Sequence, residues 1–272
     1  VNYRHAFHAG NFGDCVKHAL LVWLLRALQR KPAPVFVLDT HAGLGRYDLA
    51  AGPAERTGEW RAGIARLLDA SPGPLAEYVG LVDRLGLYPG SPTLIRALLR
   101  PDDRLACCEL HPEDAAALRR LFARDRQVAV HERDAWEALG ALLPPAQKRG
   151  LVLIDPPFEQ PDEFDRLAAG LRQGHARFAT AVFAAWYPIK HRAPVRAFHH
   201  ALQASGLRDI VAAELWLREP VDAARLNGCG LVVVNPPYRF EAEAAPILHA
   251  LLDRLGTREP GEGTALLRLA DE

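Results

Sequence analysis

The chain has 272 residues, enough for one large α/β domain with an insertion or for two modest domains. Lys plus Arg and Asp plus Glu both total 33, so there is no global positive field, and a nucleic-acid partner has to be met by a local basic face. Four cysteines (Cys15, Cys107, Cys108, Cys229) without a C-x-x-C pair argue against a zinc site and for a reducing cytoplasm, and no apolar run approaches the roughly eighteen residues of a membrane span.

Residues 1–14 are polar, aromatic and turn-rich, and apolar periodicity predicts a helix over 15–30 with Asp14 as its N-cap. Tyr3, Arg4 and His5 are too polar and too near the terminus to be core, and an aromatic beside a cation suits a stacked base and its phosphate. Lys17 and His18 fall in the first helical turn, where the macrodipole disfavours positive charge: either a functional placement or a solvated lysine. Strand 34–39 ends in Asp39 and runs into Thr40-His41-Ala42-Gly43-Leu44-Gly45. A strand, an acid and a G-x-G turn open the nucleotide crevice of a doubly wound sheet. Asp48 stands where a third glycine would complete a dinucleotide fingerprint, which favours a ligand without pyrophosphate, such as S-adenosylmethionine.

Helical periodicity over 55–70 and 75–85, interrupted by Ser71-Pro72-Gly73-Pro74 and closed by Tyr88-Pro89-Gly90-Ser91-Pro92, predicts a helical subdomain at 49–90 inserted into a Rossmann-like domain of 1–48 and 91–272. Its Arg56, Arg61 and Arg66 are phosphate contacts or a solvated helix face. The next strand, 104–109, ends in Glu109, whose carboxylate can accept from both hydroxyls of a ribose. A helix at 112–124 and a strand at 127–131 lead to Asp134, an acceptor for an adenine amino group, the N-cap of a helix at 135–143, or both.

The apolar run 151–154 reads as a buried parallel strand, and Asp155-Pro156-Pro157-Phe158 turns the chain out of the sheet at its carboxyl end. Consecutive prolines leave outward carbonyls beside a carboxylate and an aromatic face, which suits a planar substrate bearing an amino group. A helix at 162–173, a strand at 178–185 closed by Trp186-Tyr187-Pro188, a helix at 194–205 and strands at 210–217 and 230–234 follow. The segment Lys190-His191-Arg192…Arg196…His199-His200 is a phosphate-contacting rim or a solvated helix start. A second motif, Asn235-Pro236-Pro237-Tyr238, lies in the final strands, away from the crevice, and is read as a turn.

Asp155-Pro156-Pro157-Phe158 resembles the Asp-Pro-Pro-Tyr/Phe motif of methyltransferases that modify an exocyclic base nitrogen. Longer blocks are similar to the RlmJ family of 23S ribosomal RNA adenine-N(6) methyltransferases over essentially the whole chain. They are Tyr3-Arg4-His5…His8-Ala9-Gly10-Asn11, Leu38-Asp39-Thr40-His41-Ala42-Gly43, Glu55-Arg56-Thr57-Gly58-Glu59, Tyr88-Pro89-Gly90-Ser91-Pro92 and Glu109-Leu110-His111-Pro112. The resemblance implies a Rossmann-like class I S-adenosylmethionine-dependent methyltransferase fold, S-adenosyl-L-methionine as donor and an adenine of 23S rRNA as acceptor. It implies cofactor contacts from His18, His41, Ser91, Glu109, Asp134 and Ala135 beside the Gly43 turn, catalysis at Asp155 within its Pro156, Pro157 and Phe158 loop, and RNA contact by Tyr3. Phe158 stands where the family often has Tyr and Ala135 where Gly is usual; Phe keeps the stacking face, and Ala135 contributes through its backbone. Rival readings are a DNA adenine methyltransferase, a protein glutamine methyltransferase with Asn235 leading its motif, and a non-enzymatic RNA-binding protein. A monomer is expected.

Overall fold

The computed structural model describes residues 5–69 and 73–272. Its centre is an eight-stranded sheet built from β1 (Val35–Asp39), β4 (Arg104–Glu109), β5 (Val128–Glu132), β6 (Arg149–Ile154), β7 (Val182–Ile189), β8 (Ile210–Trp216), β9 (Gly228–Val234) and β10 (Gly263–Ala270). The order is β10-β8-β9-β7-β6-β1-β4-β5. From β5 to β7 neighbouring strands run parallel; β9 is antiparallel to both β7 and β8, and β10 is antiparallel to β8.

The central strands read as unbroken apolar runs because both faces are covered. Val35, Val37, Leu105, Cys107, Leu151 and Leu153 enter one core, and their sequence neighbours Phe36, Leu38, Ala106, Cys108, Val152 and Ile154 enter the other. Helices α1 (Phe12–Gln29), α5 (Ser91–Leu98), α6 (Pro112–Leu121) and α10 (Phe240–Leu255) supply the first core. Helices α7 (Ala135–Ala141), α8 (Glu163–Arg177) and α9 (Arg192–Gln203) supply the second. All four cysteines are buried free thiols.

The predicted helix over 55–70 is not continuous. Gly58 and Gly63 divide its described part into α2 (Gly52–Thr57), a 3-10 turn (Glu59–Arg61) and α3 (Ile64–Leu68). Gly58 closes α2 in the left-handed region at φ 64°, and a Cβ at Gly63 would collide with the Gly10 carbonyl, so the break lets this segment lie on the N-terminal stretch. Ile64 N–H donates to that carbonyl at 2.8 Å. Helix α4 (Ala76–Leu85) matches its expectation, and β2 (Arg46–Tyr47) pairs with β3 (Tyr88–Pro89) across the base of the segment.

Two further boundaries differ. Helix α1 begins at Phe12, and its N-cap is Asn11, whose side chain accepts from Asp14 N–H at 3.0 Å; Asp14 is therefore inside the helix rather than its cap. Trp186, Tyr187 and Pro188 lie within β7 instead of closing it, because the Tyr187 ring is fully buried and its hydroxyl donates to Glu214 at 2.7 Å. Helix α10 and β10 had no counterpart in the sequence reading.

Candidate active site

A crevice of about 710 Å³ runs along the carboxyl ends of the parallel strands. One end is walled by Glu109 at the end of β4 and by Asp134 and Ala135 at the start of α7, the middle by His41, Ala42 and Gly43 after β1, and the far side by Asp155 to Gln160 after β6. Parallel strands feeding one edge bring these segments together, although they are spread over more than a hundred residues of chain.

The turn after β1 is held by its neighbours. Thr40 N–H donates to Leu153 O at 3.1 Å and Ala42 N–H to Cys108 O at 2.9 Å, tying the turn to the strands on either side. Gly43 lies at φ 59°, and a Cβ there would strike the Tyr47 hydroxyl. Its N–H donates to Glu109 Oε2 at 2.9 Å, and the His111 N–H donates to Oε1 at 2.8 Å. Each Glu109 oxygen thus keeps a lone-pair direction for a ligand hydroxyl. Burial raises the Glu109 pKa, against the opposing pull of those two amides.

Asp39, fully buried beneath the turn, accepts from Ser91 Oγ at 2.6 Å and from His41 N–H at 3.3 Å, and burial pushes its carboxyl up to about 6. Burial also depresses His41 to about 4, leaving a neutral ring. His41 Nδ1 is approached by the Thr40 hydroxyl at 2.8 Å and by the Asp155 N–H at 3.3 Å, which ties the ring to the loop after β6. Asp134 caps α7 by accepting from Trp136 N–H at 2.9 Å and Glu137 N–H at 3.1 Å, both at Oδ1, so the capping role is met with the other oxygen to spare.

Lys17 is the group that sequence reasoning left open. Its side chain is 4% exposed, with Nζ 2.8 Å from Asp14 Oδ1 and 2.5 Å from Asp155 Oδ2. Burial alone would depress this ammonium; the Asp14 and Asp155 carboxylates outweigh it and hold it well above its usual range. Burial would likewise raise Asp14, but His5 and Lys17 keep it well below its usual range. His5 Nε2 lies 3.0 Å from Asp14 Oδ2, which also accepts Gly10 N–H at 2.9 Å. A chain of charge therefore runs from the N-terminal stretch through Asp14 and Lys17 to Asp155. It fixes one oxygen of Asp155, and among the described residues no donor reaches the other.

Phe158 follows the two prolines at φ 51°, a left-handed conformation rare for an aromatic residue. Its ring packs edge-on to Phe164 at 4.9 Å and to Trp186 at 6.1 Å. The aromatic wall thus comes from three elements, and the Trp186 part was not foreseen as a site feature.

Of the other expected residues, His41, Gly43, Ser91 and His5 line the crevice. His18, expected at the cofactor by resemblance, is fully buried, with Nδ1 3.0 Å from the Tyr88 hydroxyl; α1 turns Lys17 toward the crevice and the next residue into the core. Tyr3 and Arg4 lie outside the described residues. Arg56, Arg61 and Arg66 are engaged elsewhere: Arg61 pairs with Glu55 at 2.5 Å, Arg56 lies over the Phe7 ring at 5.6 Å, and Arg66 donates to Leu255 O at 3.4 Å. In the basic segment only Lys190 lines the crevice; Arg192 pairs with Glu219 at 3.0 Å, and the buried His199 meets the Tyr187 hydroxyl at 3.1 Å. Asn235 stands at the opposite edge of the sheet, where its amide donates to Ala179 O at 2.8 Å and Ala181 O at 2.9 Å, a turn as expected.

A parallel sheet whose strand ends carry a carboxylate, a helix-capping acid and an Asp-Pro-Pro-Phe loop around one crevice is that of a Rossmann-like, S-adenosylmethionine-dependent methyltransferase. The model of the family described as ribosomal RNA large subunit methyltransferase D, RlmJ, matches residues 32–266. The chain is 40% identical over 268 residues to the ribosomal RNA large subunit methyltransferase J of Escherichia coli, covering 94% of this chain and 96% of that protein. Its identity to the protein of the same name from Haemophilus influenzae is 39% over 273 residues, covering 97% of each. The crystal structure of protein LPL1258 from Legionella pneumophila superposes with a TM-score of 0.87 at 32% identity, over 96% of this chain and 98% of that one. The chain belongs to the RlmJ family of ribosomal RNA large subunit methyltransferases.

Proposed function

We propose that the protein methylates the 6-amino group of an adenine in 23S rRNA in the cytoplasm. The observation that carries this reading is the placement of Asp155: one carboxylate oxygen is held by Lys17 and the other is left to the crevice, beside two prolines and an aromatic wall. The 6-amino lone pair is delocalised into the purine ring, so the amine is a poor nucleophile. Asp155 Oδ1 and the Pro156 carbonyl accept its two N–H hydrogens and draw the nitrogen toward tetrahedral geometry. Phe158, backed by Phe164 and Trp186, offers a stacking face to a base that has left its own stack.

S-adenosylmethionine, when bound, supplies an electrophilic methyl group on a sulfonium centre. The free lone pairs of Glu109 fit a ribose diol, and the second oxygen of Asp134 fits an adenine amino group; His41, the Gly43 turn, Ser91 and the Ala135 backbone complete this half of the site. Because transfer needs chiefly alignment, these contacts act by position. Tyr3 and Arg4 belong to the RNA side in this reading, with His5 as their link to the Asp14 and Lys17 chain. Residues 49–90 form an inserted helical subdomain, a reading supported by the pairing of β2 with β3 across its base. Among the described residues no helix is long and apolar enough to cross a membrane.

Mass-spectrometric mapping of unmodified 23S rRNA after incubation with protein and S-adenosylmethionine tests the reading. A single N6-methyladenine is expected. Methylation of duplex DNA in preference to rRNA would establish the DNA reading instead, and cofactor-independent RNA binding without transfer would establish the non-enzymatic one.

A further inference from the structure

The crevice does not stop at the acceptor loop. It continues past Trp186 and Pro188 to Lys190 just after β7, to Arg218, Ala224 and Leu226 in the β8–β9 connection, and to Thr257 after α10. These residues share an edge because β9 is antiparallel: its start, like the ends of β7 and β8, faces the carboxyl side of the parallel strands. Two strand spacings separate β6 from β9, roughly 10 Å across the sheet. That is a step away from the acceptor loop, on the side opposite Glu109 and Asp134.

This end is built firmly. Asn227, fully buried, donates through Nδ2 to Lys190 O and Asp222 O, both at 2.7 Å, and its N–H donates to Ile189 O at 3.1 Å. Thr257 Oγ1 donates to Leu217 O at 3.0 Å. Arg218 pairs with Glu259 at 2.9 Å, a carboxylate that Arg225 also meets at 3.4 Å. Lys190 is different: it is exposed at the crevice mouth, and among the described residues it has no carboxylate partner. A pinned backbone, an apolar floor of Pro188, Ala224 and Leu226, and an uncompensated cation suit an anion carried on an apolar, planar body.

Resting on the reading of the acceptor as an adenine in rRNA, we propose that this end of the crevice is a subsite for single-stranded RNA flanking the target. Lys190 holds the backbone phosphate of a neighbouring nucleotide, and the Pro188 and Leu226 surface lies under its ribose and base. The electrically neutral chain has no bulk field to hold RNA, so a contact of this kind carries weight out of proportion to one charge.

The experiment is steady-state methylation of an unmodified 23S rRNA fragment across a salt series by wild type, Lys190→Ala, Lys190→Glu and Lys190→Arg. The expected result is a KM for RNA raised about fivefold in the alanine variant and further in the glutamate variant, with kcat and the Kd for S-adenosylmethionine near wild type. The dependence of log KM on log salt should flatten by ~0.7, the loss of one single-strand phosphate contact, and arginine should restore both quantities. An unchanged KM and salt slope in Lys190→Glu would overturn the subsite while leaving the function in place. A raised KM with an unchanged slope and an earlier melting transition would make Lys190 structural and overturn it as well. Wild type that binds S-adenosylmethionine yet transfers to no 23S fragment refutes the rRNA reading itself, and the subsite with it.

Discussion

Asp155-Pro156-Pro157-Phe158 and Asn235-Pro236-Pro237-Tyr238 have almost the same spelling, and each follows a buried strand. Their surroundings are opposite. Strand β6 runs parallel to β7 and ends level with Ala185, so Asp155 emerges at the carboxyl edge. Strand β9 runs antiparallel and ends level with Phe183, so Asn235 emerges at the other edge. Asp155 is held by a buried lysine with an oxygen left over, whereas both amide hydrogens of Asn235 are consumed by the turn before β7. The aromatic residues repeat the contrast: Phe158 is wedged between two rings, and Tyr238 is 87% exposed. Strand direction, rather than motif spelling, decides which copy meets the crevice.

The largest expected effect breaks the comparison at Asp155. Asp155→Ala removes the acceptor for the target amine, and single-turnover transfer to 23S rRNA should fall by about 100-fold or more while the folded protein still binds S-adenosylmethionine. Transfer near the wild-type rate would move the acceptor site elsewhere.

Asp39 sharpens the comparison from beneath the crevice. Its folded pKa of about 6 lies above the ordinary 3.8, so the folded state binds this proton more tightly than the unfolded state. The resulting stabilisation is complete below the unfolded pKa and is lost as pH rises through 6, an effect on the order of 3 kcal/mol. Urea midpoints of wild type and Asp39→Asn, compared below pH ~4 and above pH ~7, should show the variant gaining relative to wild type at the higher pH. A constant difference would mean that Asp39 does not titrate in this window.

At the cofactor end, Glu109→Ala should weaken S-adenosylmethionine binding by about 1.5 to 3 kcal/mol, the range for hydrogen bonds to a charged group. Calorimetry showing an unchanged Kd would place the ribose elsewhere. The smallest effect belongs to the second motif. Asn235→Ala loses two hydrogen bonds and puts alanine at φ 54°, so it should cost about 1 to 2 kcal/mol of stability with transfer per folded molecule unaltered.

Much of this was legible in the chain itself. Runs such as 35–38 and 151–154 are apolar at every position because their strands are covered on both faces, and that pattern needs no tertiary information to be recognised. An acid or glycine turn at each strand end followed from the same reading, and the structure assembles Gly43, Glu109, Asp134 and Asp155 along one crevice. Local backbone chemistry was less visible: the break at Gly58 and Gly63 has the periodicity of one helix, and only the approach of the Gly10 carbonyl explains it.

What the sequence could not decide was which charges meet. Lys17 reads as a misplaced cation in a first helical turn, and its reason for being there, Asp155, lies 138 residues away. His18 and Lys17 are adjacent in sequence, yet the helix turns one into the core and the other into the site, a difference set by where α1 packs on the sheet. Lys190, Arg192 and His199 form one basic segment in the chain, but partners on distant elements neutralise Arg192 and bury His199, leaving Lys190 at the crevice. Periodicity and turn chemistry are local and can be read from neighbouring residues, whereas ion pairing and burial depend on contacts between residues far apart in the chain, and only the folded structure brings those together.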